Sequence, residues 1–141
     1  MKTRTERREA GTATVFVVGM ALVLFICAGL VIDGGLAINA RMRAADDAEQ
    51  ASRLAADSID VDLLRSTGEI VIDADLARQR ASGYLQSRGY APGNYRVEPD
   101  PDTGAVRVRV RNTTNSLILS LVSIPTFTVN AAATSTPETG P

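Results

Sequence analysis

From Thr12 to Ile32 the chain reads TATVFVVGMALVLFICAGLVI, with no charged residue and two threonines as its only polar side chains. A helix drawn on this run is apolar on every face, the pattern of a segment surrounded by hydrocarbon and not of an amphipathic core helix. At about 1.5 Å per residue the run reaches roughly 30 Å, the thickness of a bilayer's hydrocarbon core. A helix also satisfies its own backbone hydrogen bonds, as lipid requires. The pattern predicts a membrane-spanning helix over 12–32.

Past the span, Asp33, Gly34 and Gly35 mark an exit where a bend or fray is expected, because each glycine costs a helix about 1 kcal/mol relative to alanine. A new periodicity then begins. Ala37, Ala40, Ala44, Ala48, Ala51, Ala55 and Ile59 recur at spacings of three and four, which draws one nearly straight apolar stripe along a helix over 33–60. Alanine favours the helix and lets another backbone approach closely, so the stripe is expected to lie against a partner surface. Arg43, Asp46, Asp47, Glu49, Gln50, Arg53 and Asp57 fall on the other side and predict a solvated face, with 43–47, 49–53 and 53–57 as ion pairs four residues apart.

Residues 61–133 alternate between short patterns. The stripe breaks over 60–68, with Ser66, Thr67 and Gly68 as a turn, and Glu69–Asp73 is a short strand candidate. Asp73 as N-cap and Gly89 as the stop bracket a helix over 74–88. Asn94–Glu98 and Ala105–Arg111 flank PDPDTG, the signature of a hairpin. In its second arm Val106, Val108 and Val110 must face one way and Arg107, Arg109 and Arg111 the other, giving one buried and one wet face. Ser116–Ile124 is apolar yet too short to span, so a short packed helix ending at Pro125 is expected. Phe127–Ala133 alternates again and can rejoin the sheet, and 134–141 is polar and predicted disordered.

Charge fixes the expected topology. The tail over 1–11 carries Lys2, Arg4, Arg7 and Arg8, and orientation follows lysine and arginine, so this tail is expected in the cytoplasm and everything from Asp33 onward outside. The apolar run is longer than the ~7 to 15 residues of a secretory signal core, which favours an anchor that stays. A formal net charge of −1 gives no sign of a nucleic-acid partner. The sequence has no histidine, and its single cysteine, Cys27, sits inside the apolar run; most metal and nucleophile chemistry is thereby removed. We expect no catalytic, cofactor-binding or metal-binding residues, no small-molecule substrate, and no enzymatic activity.

Two acidic groups deserve a weighing against calcium, Asp57 with Asp60 and Asp62, and Asp100 with Asp102. Neither supplies a full ligand set, and Asp-Pro-Asp-Thr-Gly is ordinary turn chemistry. The Arg107, Arg109 and Arg111 row could meet an anionic polymer or an acidic partner, but a wet sheet face that resists edge aggregation accounts for it.

The assembly of these features resembles pilins and pseudopilins. EAGTATVFVVGMALVLFICAGLVIDGG leading into ARMRAADDAEQASRLAAD, with SIPTFTVNAAATS near the end, is similar to the TadE/TadG-like proteins of tight-adherence (Flp) pilus assembly. The resemblance implies an α+β, pilin-like fold: a long N-terminal transmembrane helix, extended outside the membrane and packed on an antiparallel sheet of three to four strands. It also implies other pilin or pilus-assembly subunits as partners, and a bacterial cytoplasmic membrane location. A prepilin-type peptidase acting on such a chain would cut between Gly11 and Thr12. Many members carry glutamate as the fifth residue after that cut, where this chain has Phe16. The alternative role is a signal-anchored surface adaptor or sensor outside any filament.

Overall fold

A computed structural model describes residues 4–123 and 125–137, with side chains described at 12–121, 123 and 125–137. Helix α1 spans Arg4–Ala56, followed by α2 (Val61–Thr67) and α3 (Ala74–Ser87). Strands β1 (Tyr95–Pro99), β2 (Val106–Asn115) and β3 (Thr126–Ser135) form one antiparallel sheet in the order β1-β2-β3, with a 3-10 turn at Leu119–Val122 between the last two. The α+β class expected from the sequence is the observed one, with three strands.

Residues group into two compact units, Met1–Leu36 with Asn115–Thr126, and Ala37–Thr114 with Phe127–Pro141. In the first, the apolar run of α1 is accompanied by the short segment around the 3-10 turn. In the second, Ala44, Ala48, Ala51, Ala55 and Ala56 join Ala77, Ala81 and Leu85 of α3, Tyr90, and Val106, Val108 and Val110 of β2 in one core. Val129, Ala131 and Ala133 of β3 pack against it. The strict alternation of β2 is obeyed: its three valines are buried and Arg107, Arg109 and Arg111 are exposed. Tyr95 pairs with Val110 and Pro99 with Val106, so residues 100–105, which hold DPDTG, are the hairpin connection.

Local chemistry sets the ends. Asp60 and Asp73 cap α2 and α3, each carboxylate accepting two backbone N–H groups of the first turn. Gly89 takes φ 91°, and the N–H groups of Gly89 and Tyr90 close on the carbonyls of Gln86 and Leu85, a left-handed stop that a side chain would strain.

The sequence reading differs from the structure in several of its elements. Gly34 and Gly35 do not interrupt α1, whose helical hydrogen bonding outweighs their modest propensity cost. The stretch 60–68 is mostly helix, because the Asp60 cap and the Gly68 stop enclose just enough residues for two turns. Glu69–Asp73 is no strand; it contributes one isolated bridge, Ile72 to Ile59. In Ser116–Ile124 the helix reduces to a 3-10 turn over Leu119–Val122, which Ser123, at φ 68°, ends; Ile124 lies outside the described residues. Finally, β3 continues through Thr134 and Ser135, where the Ser135 hydroxyl meets that of Ser52 at 2.7 Å. The tail residues 138–141 and Met1–Thr3 lie outside the described residues.

Candidate functional site: the anchor helix and its seam

The apolar run of α1 keeps its side chains outward. Val15, Phe16, Leu22, Phe25, Leu30 and Val31 are all exposed, and the most apolar window has a mean hydropathy of 3.0 with 6% of it buried. A soluble core helix of that hydropathy would be covered. α1 is thus long and apolar enough to cross a membrane, and it fits a single-pass membrane protein. Gly11 and Thr12, the expected processing position, lie within α1, and the side chains of 1–11 are outside the described residues.

At the end of the run the chain binds itself. Asp33 is fully buried, and its carboxylate accepts the backbone N–H groups of Leu117 (2.9 Å), Ile118 (3.0 Å) and Leu119 (2.6 Å). One turn earlier, Gly29 is buried against Ile118: a Cβ built there would overlap Ile118 Cγ2 and come within 3.0 Å of its Cβ. Glycine and a short carboxylate, four residues apart on one helix face, therefore form a docking strip for residues 117–119.

The alanine stripe is covered from within the chain. Ala40, Ala44, Ala48, Ala51 and Ala55 are buried, Ala44 to Ala55 completely, while Ala37 and Ile59 are half-buried. The small side chains here let α3 and the sheet approach α1 closely. What α1 leaves open in this unit is a different face, including Ile38 (64% exposed), Met42 (60%) and Ala45.

One member of the expected solvated face is buried. Asp47, 6% exposed, receives the Tyr90 hydroxyl at 3.0 Å, Arg88 Nε at 2.8 Å and the Tyr84 hydroxyl at 3.4 Å. The expected pairing with Arg43 gives way to Arg88 because Asp47 stands three residues past Ala44 and four before Ala51, on the flank of the stripe. Burial, with the nearby Asp47 carboxylate, pushes the Tyr90 phenol up to about 12 and raises that of Tyr84 as well. Hydrogen bonding to Asp47 raises Arg88 in turn. The sequence carried a signal for both buried acids: Gly29, Asp33, Ala37, Ala40, Ala44 keep the stripe's spacing, so Asp33 extends it. An acid at stripe spacing is a buried acid in need of donors.

The remaining candidates are accounted for locally. Asp60 is a helix cap, and Asp57 and Asp62 are exposed. Asp100 accepts the N–H groups of Asp102 and Thr103 inside the hairpin turn, and its carboxyl is lowered by hydrogen bonding, the Thr103 hydroxyl first. Glu49 pairs with Arg53, and Arg109 with Glu98 at 3.3 Å across the sheet.

No curated protein and no solved structure matches the chain. Over residues 11–58, which take in the whole apolar run and the stripe as far as Ala55, the chain matches the model of the family described as putative Flp pilus-assembly TadE/G-like.

Proposed function

We propose that this chain is a membrane-anchored, pseudopilin-like structural component in the assembly of a Flp/Tad-type pilus or a related secretion machine. The observation that carries the reading is a coincidence of boundaries: the family match covers the segment that combines an uncovered apolar helix with a small-residue seam. Lys2, Arg4, Arg7 and Arg8 support an N-terminus inside the cytoplasmic membrane and the larger unit outside. The role is to fit beside other subunits and not to transform a molecule. That is in keeping with a sequence without histidine, whose one thiol faces outward from the apolar run. With Ala44 to Ala55 covered by the chain's own core, the contact surface for other subunits is the open side of α1 around Ile38, Met42 and Ala45.

A photo-crosslinker placed at Met42 in cells tests this. Capture of a pilus-assembly subunit, identified by mass, supports the reading. A chain that stays uncrosslinked and monomeric in its membrane refutes it and leaves the signal-anchored adaptor. N-terminal sequencing of the mature protein separately decides whether the Gly11–Thr12 bond is cut.

A further inference from the structure

The short segment after β2 inverts the usual character of a loop. Surface loops expose polar groups to water. Here Leu117 and Leu121 are 65% and 77% exposed, while several backbone groups are paired within the chain. The N–H groups of Leu117, Ile118 and Leu119 go to Asp33, and that of Ser116 goes to the Pro125 carbonyl at 2.9 Å. The Leu117 carbonyl accepts the Ser120 hydroxyl at 2.9 Å, and the Ile118 carbonyl accepts the Leu121 N–H at 3.0 Å. Pairing these groups within the chain lowers the cost of bringing a non-helical segment to the edge of an apolar medium, where unpaired backbone groups are expensive.

Position supplies the second argument. Ile118 is seated on Gly29, which lies three residues inside the Ile32 end of the apolar run. At the helical rise this is about 4 to 5 Å into the hydrocarbon. Leu117 adjoins the seated Ile118, and Leu121 follows three residues on, so both exposed leucines belong to the segment docked at this end of the run.

We propose that residues 116–123 form a second membrane contact, an interfacial finger that sinks Leu117 and Leu121 among the acyl chains at the Ile32 end of the span. Asp33 and Gly29 hold the finger at that depth. The occupant of the exposed leucine face is lipid, continuous with the lipid around the helix itself. This rests on the reading of 12–32 as a span.

The test uses the full chain with Cys27→Ser, reconstituted in phosphatidylethanolamine/phosphatidylglycerol vesicles, with a nitroxide attached at Leu121→Cys, Leu117→Cys, Phe25→Cys or Glu69→Cys. Collisional relaxation by oxygen, which concentrates in lipid, is compared with that by a water-soluble nickel chelate. The expected result is oxygen-dominated relaxation at 121, 117 and 25, and nickel-dominated relaxation at 69. Lipid at 25 with water at 117 and 121 overturns the finger alone. Water at 25 overturns the span, and the finger with it. Labels at 117 and 121 shielded from both reagents would mean that a protein covers the leucines, which also overturns the proposal.

Discussion

Replacing Asp33 by alanine removes the acceptor for three backbone N–H groups at 2.6 to 3.0 Å. Each buried donor left without a partner costs about 1 to 3 kcal/mol, so the gross penalty is several kcal/mol. Two effects reduce it. The carboxylate's own desolvation disappears with the side chain, and the segment can swing outward until its amides find water. The net cost should fall on opening of residues 117–119 and reach about 3 kcal/mol, which is roughly a hundredfold in an equilibrium constant. The assay is native-state amide hydrogen exchange on the full protein in lipid nanodiscs, read on peptides covering 115–123 and, as reference, 77–85. Exchange in the first should accelerate about a hundredfold, and in the second hardly at all. Asp33→Asn keeps one acceptor oxygen but no charge and should fall between. If exchange of 115–123 is unchanged in Asp33→Ala, the carboxylate does not hold the segment and the account of its burial is wrong.

Further outcomes follow from the same contacts. Gly29→Val should release residues 117–119 much as Asp33→Ala does, since its Cβ overlaps Ile118, while membrane insertion measured by carbonate extraction stays unchanged. Asp47→Ala strips the acceptor shared by Tyr84, Tyr90 and Arg88, and should cost about 3 kcal/mol by urea denaturation followed by tyrosine near-ultraviolet circular dichroism. An unchanged midpoint would deny the network a structural role. Because the folded Tyr90 phenol is raised to about 12, its contribution is intact below the unfolded value near 10 and is lost as pH rises from there through 12. Tyr90→Phe should therefore blunt the alkaline loss of stability. Ala48→Glu places a carboxylate at a fully buried position without a donor, and should abolish cooperative unfolding of the larger unit before any question of association arises.

How much of this was legible differs from element to element, for physical reasons. The apolar run, the valine face of β2 and the caps at Asp73 and Gly89 follow from periodicity and local hydrogen-bonding chemistry, and periodicity is a property of the sequence itself. The stripe was equally plain as a pattern, but a pattern does not name what covers it. That Ala44, Ala48, Ala51 and Ala55 meet α3 and the sheet depends on contacts between residues far apart in sequence. Residue type groups Asp47 with the solvated acids, whereas its spacing from Ala44 and Ala51 puts it on the buried flank. Residue type likewise makes Asp33 an exit marker. Its donors are backbone groups of residues more than eighty positions away, and no side-chain pattern announces a backbone donor. The α2 turn was hidden because two turns of helix give too few residues for a period to show.

The covering of the alanine seam has a consequence for the order of events during synthesis. α1 leaves the ribosome first, whereas α3, β2 and β3, which shield its seam, are made later. For that interval the seam stands naked. A row of leucines in its place would be a sticky ridge, open to any neighbouring nascent chain. Methyl groups offer little to grip, and alanine holds the helix wound without help from the rest of the fold. The choice of alanine thus serves the half-made protein as well as the finished one.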